Sequence, residues 1–269
     1  MFDLRALEQE LAGTIFAGKL HFAAVTGSTN SDAAAAARRG APHGSVWFAD
    51  EQTAGRGRGH HRWHSATGEG LYVSVLLRPE IPAGRVSLLP LAAGLAAAGA
   101  IRSASGLTVD LRWPNDLLVG PRKAGGILVE ARAESETLPH AVVGIGINVH
   151  QHEFAPDLAT PATSLDIEAG RSISRQILLA ALLKSLEREA AGLADPDAAG
   201  QIVARVEQAS TWARGREVDV HGPQACTGIT AGLDEHGFLL VETAAGLVTV
   251  QTGGLREKTA YSCQLPATS

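Results

Sequence analysis

Four stretches constrain the fold more than anything else in the chain: residues 45–49, 71–77, 126–132 and 141–149. Each is short and rich in β-branched or aromatic residues, which reads as strand rather than helix. Leu71, Val73, Val75 and Leu77 alternate and predict a half-buried strand. Further strands are expected at 21–25, 108–113 and 117–119. The alanine-rich tracts at 33–37 and 91–100 are helix composition. An amphipathic helix is expected over 3–18 (Leu4, Leu7, Leu11, Ile15). Others are expected up to Arg39, over 86–104 with Pro90 in the first turn, over 174–193 (Ile177, Leu178, Ala181, Leu182, Leu186) and over 197–210. Strands mixed with helices predict an α/β (α+β) unit, a mixed sheet packed by helices. Composition shifts near 212–215. Beyond it, short strands at 217–221, 226–233, 238–242 and 247–251 suggest a small β-barrel. The expected division is 1–213 and 214–269.

The most unusual stretch follows the strand at 45–49. Between Gly55 and His64 stand three glycines, three arginines, three histidines and Trp63. Alternate glycines let backbone approach a ligand, and the arginines offer forked donors for phosphate or carboxylate. A solvated basic loop and a loop folded over an anion both fit. His60, His61 and His64 lack the paired spacing of a metal site. No Gly-x-x-x-x-Gly-Lys-Ser/Thr loop occurs, and Gly55-x-Gly57-x-Gly59 is not the dinucleotide fingerprint.

Ser28-Thr29-Asn30 precedes this loop. Arg112-Trp113-Pro114-Asn115-Asp116, Lys123-Ala124-Gly125-Gly126-Ile127-Leu128-Val129-Glu130 and Gly144-Ile145-Gly146-Ile147-Asn148-Val149 follow it. In this order, with Gly55-Arg56-Gly57-Arg58 and Trp63, they resemble the biotin protein ligases over roughly residues 22–150. The resemblance implies a class II synthetase-like catalytic domain followed by the small barrel. It implies ATP-dependent activation of the biotin carboxylate to biotinyl-5'-AMP, with pyrophosphate leaving. A lysine of the biotin carboxyl carrier protein of acetyl-CoA carboxylase then attacks the anhydride. Biotin and ATP are the implied substrates, with Mg²⁺. One departure stands out: relatives commonly continue Gly-Arg-Gly-Arg-x-Gly-Arg, whereas here Gly59-His60-His61-Arg62 displaces the second glycine and arginine. The loop shapes a dimer interface in some relatives, so a homodimer is admitted.

Lys123 matches the family's catalytic lysine, since its compact ammonium suits two anions brought together. Only four of the 23 basic residues are lysine, although a solvated turn lysine would look the same from sequence. Arg56 and Arg58 are candidates for the remaining positive charge. Ser28, Thr29 and Asn30 cap a helix, with or without ligand contact. Gln52, donor and acceptor together, suits a ureido ring or a strand end. Gly55, Gly57, Gly126 and Gly144 complete the expected biotin side. Trp63, Arg112, Asn115 and Asn148 are expected on the adenylate side, and Asp116 either there or holding Mg²⁺. Trp113 reads as mainly structural.

A net charge of −5 argues against a general nucleic-acid binder, the rival reading of an arginine-glycine-tryptophan loop. A lipoate–protein ligase is the nearest rival enzyme, disfavoured by residues 55–58. A non-catalytic biotin sensor would need an effector domain that the sequence does not suggest. About twenty residues before the first strand are too few for a helix-turn-helix module, so DNA binding is not expected. Neither signal peptide nor membrane span is evident. Two distant cysteines, Cys226 and Cys263, fit a reduced cytoplasmic protein.

Overall fold

A computed structural model describes residues 2–59, 61–78, 81–131 and 140–258. Seven strands form a mixed sheet: β1 (Leu20–Thr26), β2 (Ser45–Gln52), β3 (Gly70–Leu77), β4 (Asp110–Arg112), β5 (Asp116–Val119), β6 (Arg122–Ala131) and β7 (Ala141–Asn148). Their order is β1-β2-β3-β7-β6-β5-β4, with β1 and β2 parallel and the other neighbours antiparallel.

Helix α2 (Thr29–Arg38) covers one face, burying Ala33 and Ala37 with Leu76 and Val142. Helices α3 (Leu89–Ser105) and α5 (Arg175–Gly192) cover the other. Gly94 of α3 faces Leu111 and Ile127, while Gly99 lets α5 approach at Ser185. With both faces covered, every residue of β3 is buried, against the expected half-buried strand. The segment Gly84–Ser105 is apolar and long enough to cross a membrane by composition, but it is the core helix between sheet and α5.

The first helix is shorter than its periodicity suggests. Helix α1 (Leu4–Glu10) is capped by Asp3 and followed by Gly13 at φ 84° and Gly18 at φ 69°. Leu7, Leu11 and Phe16 are buried, while Leu4 faces outward. Ile177, counted as apolar face in α5, is also exposed. Helices α4 (Leu165–Ala169) and α6 (Pro196–Gln208) complete the layer.

The C-terminal strands are β8 (Arg214–His221), β9 (Cys226–Leu233), β10 (Leu239–Thr243), β11 (Gly246–Val250) and β12 (Gly254–Glu257). They form an antiparallel sheet in the order β11-β10-β9-β8-β12, and among the described residues no pairing joins β11 to β12. This sheet packs beside the first: Trp113 Nε1 donates to Gly237 O at 3.0 Å, and Arg112 and Arg216 lie over the Trp212 ring. The expected strand residue Arg132 and the second cysteine, Cys263, lie outside the described residues.

Candidate active site

The α2 side of the sheet carries a cavity of ≈ 950 Å³. Sheet register explains which side chains reach it. Gly144, Gly146 and Asn148 alternate along β7 onto this face, whereas Val143, Ile145 and Ile147 enter the core. Gly146 pairs with Gly126, and Gly126 with Asp116, which pairs with Arg112, so one row crosses four strands.

Lys123 joins that row through an irregularity. The β5–β6 register shifts between Leu117↔Gly125 and Leu118↔Lys123, leaving Ala124 as an extra buried residue. A bulge of this kind reverses the alternation and re-aims the side chain before it. Lys123 Cε and Nζ thus lie 3.5 and 3.6 Å from the position of a Cβ on Gly126, three residues on. Lys123 is a strand residue, not the turn residue expected. Its N–H donates to Pro161 O, and Thr163 N–H returns a bond to its carbonyl, so the 161–163 segment braces it.

Lys123 Nζ stands 2.5 Å from Asp116 Oδ1 and 5.6 Å from the centre of the Trp63 ring. Arg112 holds the other carboxylate oxygen, Nη2 at 2.6 Å and Nε at 3.1 Å, and donates to Thr160 Oγ1 at 2.8 Å. Burial pushes the Asp116 carboxyl up, but Lys123 and then Arg112 outweigh it, and the net shift is downward. Arg112 therefore forks onto Asp116. Both oxygens of Asp116 are taken by cations.

A second cluster is neutral. Ser28 occupies the N-cap of α2 but makes no side-chain capping bond. The amide of Thr29 instead donates to Gln52 Oε1 at 2.9 Å, joined by Thr29 Oγ1 at 3.1 Å. Gln52 Nε2 donates to Ser65 Oγ at 2.9 Å. Ser74 Oγ lies 2.7 Å from Thr29 Oγ1 and 2.6 Å from Asn30 Oδ1. Asn30 Nδ2 donates to Glu130 Oε2 at 3.0 Å. Gly144 is required here, since a Cβ would stand 2.0 Å from Asn30 Oδ1.

The arginine-glycine loop folds as a small hairpin, with Arg56 bridging Arg62 and Gly57 N–H bonded to His61 O. It turns at Gly59, φ 61°, and Gly57 is not in the left-handed region. Trp63 lies on the sheet floor, where a Cβ on Gly146 would come within 2.6 Å of the indole. Arg56 pairs with Glu130 at 2.5 Å. Arg58 donates to Gly253 O at 2.7 Å and Thr252 Oγ1 at 3.1 Å, and burial lowers its pKa while Asp116 opposes. As folded, neither arginine bonds beside Lys123: one grips a carboxylate, the other the C-terminal sheet. Both still line the cavity, as does every other expected site residue but Gly55. Gly55 packs beneath the hairpin, where a Cβ would meet Trp63 O at 2.4 Å.

Asn115 and Asn148 bond to backbone: Asn115 Nδ2 to Ile127 O at 2.7 Å, Asn148 Nδ2 to Thr163 O at 2.9 Å. Trp113 is buried core. The sequence reading missed Ser65, Ser74, Thr160, Glu130 and Gln151. Glu130 ends a quoted motif, which was its signal; Ser74 is the one small hydroxyl residue within an apolar strand. Among the described residues, no group of three His, Cys, Asp or Glu could hold a metal ion.

Residues 22–148 match the biotin/lipoate A/B protein ligase family. The biotin–[acetyl-CoA-carboxylase] ligase of Mycobacterium tuberculosis is 33% identical over 260 residues, 93% of this chain and 94% of that protein. The bifunctional ligase/repressor BirA of Bacillus subtilis is 40% identical over 166 residues, 61% of this chain; the match spans 51% of that protein. The fold resembles the biotin protein ligase from Aquifex aeolicus in complex with biotin and ATP: TM-score 0.76, 28% identity, covering 89% of this chain and 98% of that one.

Proposed function

The chain belongs to the biotin/lipoate A/B protein ligase family, and we propose that it is a biotin–[acetyl-CoA-carboxylase] ligase. It forms biotinyl-5'-AMP from biotin and ATP, then transfers biotin to a lysine of the biotin carboxyl carrier protein. The observation that carries this reading is Lys123, bulged with the Arg112–Asp116 pair into the same cavity as a neutral polar cluster.

The neutral cluster suits the ureido ring. Thr29, Asn30 and Gln52 provide donors and acceptors without net charge, braced by the buried Ser74, and Gly144 and Gly126 permit close backbone approach. The carboxylate then lies toward Lys123. Its attack on the α-phosphorus forms the acyl–phosphate bond and expels pyrophosphate. Lys123 opposes the charge gathering there. Arg112 fixes Asp116, and Asp116 holds Lys123 in place. Arg56, Arg58 and Gly57 belong to the hairpin that covers the anhydride from water. Trp63, Asn115 and Asn148 line the adenylate side. The acceptor lysine amine attacks the acyl carbon, and AMP leaves.

Mg²⁺ has no ready seat among the described residues. Asp116 is committed to two cations, and one carboxylate makes no cage. The ion would travel with the ATP phosphates, and no step above runs through it. The division at 213/214, a cytoplasmic setting and a homodimer complete the proposal.

Incubation with biotin, ATP and a carrier domain tests the reading by mass spectrometry. Biotinyl-adenylate and a biotinylated carrier are expected. Adenylate formed from lipoate but not biotin, or no adenylate at all, overturns it.

A further inference from the structure

Resting on the reading above, the geometry points to Gln151 as the residue that recognises the nucleotide base, its carboxamide pairing with the edge of adenine. Two buried side-chain polar atoms lack a partner among the described residues, Trp63 Nε1 and Gln151 Oε1. Both residues line the same cavity. Trp63 Nε1 is packed over Gly146, 2.7 Å from the position of a Cβ there, whereas Gln151 Oε1 is left for a ligand to satisfy, since a buried group without a partner is costly.

Strand β7 orders the cavity. Gly144 faces Asn30 in the neutral cluster, Gly146 faces Trp63 beside Lys123, and Asn148 lies beyond. Inward positions on a strand are about 6.6 Å apart, so these three span about 13 Å. With the ureido ring at Gly144 and the reacting acyl centre at Lys123, the nucleoside lies toward Asn148 and Gln151.

Gln151 is only 3% exposed, and its position is pinned. Ser164 Oγ donates to its carbonyl at 2.6 Å, and the amides of Val149 and His150 both donate to Glu69 O. Phe154, Leu158 and Ala159 line the cavity nearby and offer an apolar wall suited to a base. In that setting the carboxamide is a polar reader with one acceptor and one donor group. Adenine matches it with an exocyclic amine that donates and a ring nitrogen that accepts.

The test compares ATP with purine riboside triphosphate, which lacks only the exocyclic amine, in the parent and in Gln151→Leu. Adenylate formation gives kcat/KM, and calorimetry gives nucleotide affinity directly. The parent is expected to prefer ATP by about 10–100-fold, the scale of one buried hydrogen bond with its orphan penalty. In Gln151→Leu the preference is expected to collapse toward unity, with biotin affinity unchanged. A parent that treats both nucleotides alike overturns the inference whether or not the variant folds. So does a folded Gln151→Leu that keeps the preference. A parent that binds ATP selectively yet makes no biotinyl-adenylate overturns the proposed function and leaves this inference standing. Equal kcat/KM with normal adenylate formation does the reverse.

Discussion

Removing the Lys123 ammonium is the most direct perturbation of the proposed chemistry. Lys123 Nζ lies 2.5 Å from Asp116 and faces the cavity from a bulged strand, so the backbone sets its direction and Asp116 fixes the ammonium. Loss of one preorganised donor at a centre of developing charge costs roughly 10²–10³ in rate, about 3–4 kcal/mol. Lys123→Ala is therefore expected to slow adenylate formation on that scale. Stability changes less. The side chain is 28% exposed, and Asp116 keeps its two bonds to Arg112, so the loss is about 1 kcal/mol. Lys123→Arg is expected to rescue only in part: a planar fork is bulkier than the ammonium packed 3.6 Å from the Gly126 Cβ position. Single-turnover pyrophosphate release, beside biotin titration and thermal unfolding, separates these effects. Biotin affinity is expected to fall less than rate. If folded Lys123→Ala forms adenylate within a few-fold of the parent, the argument from Lys123 fails.

Three further outcomes follow from the same contacts. Gly146→Ala places a Cβ within 3 Å of three atoms of the Trp63 indole, so the hairpin must shift; adenylate release, followed by rapid filtration, is expected to quicken about tenfold with a small change in melting temperature. Asp116→Asn leaves Arg112 buried without a charged partner and is expected to cost about 2–4 kcal/mol, measured by urea unfolding at neutral pH. Because the parent's Asp116 pKa is depressed, its contribution is full above the ordinary carboxylate range and lost as pH falls through the folded value, so the two proteins converge in acid. His43 accepts from Arg78 N–H at 2.9 Å, and burial, then Lys19, lowers its pKa against Glu187. A depressed histidine favours folding above about pH 6.5 and loses that contribution as pH falls through the folded value, so melting temperature is expected to drop below pH 6.5 in the parent but less in His43→Gln.

The sheet was largely legible because β-branched runs bounded by glycine and proline leave few alternatives. Apart from Gly55, the expected site residues line one cavity. What sequence hid was direction. Alternation along residues 122–131 puts Lys123 on the face of Ile127, in the core, and only the extra residue at Ala124 turns it outward. A bulge is decided by the neighbouring strand's register, which no local pattern carries. Ser28 looked like a helix cap because its type fits; the first amide of α2 is bonded by Gln52, 23 residues away, instead. Strand β12 was invisible because Gly254-Leu255-Arg256-Glu257 has no alternation of its own and is strand only by pairing with β8.

The same logic explains why charge and neutrality separate within one cavity. The cationic cluster comes from β4, β5 and β6, at the sheet edge covered by the 160–163 segment and the C-terminal sheet. The neutral cluster comes from β2, β3 and α2, where the helix packs tightly on the strands. A charge deep beneath α2 would be desolvated, and the Arg56–Glu130 pair that reaches Asn30 stays partly exposed; at the β4 edge, Asp116 and two cations satisfy one another. Strand β7 runs between the two regions with glycines at both inward positions before Asn148. A molecule with a neutral polar head, a carboxylate and a phosphate can lie along that strand in only one sense.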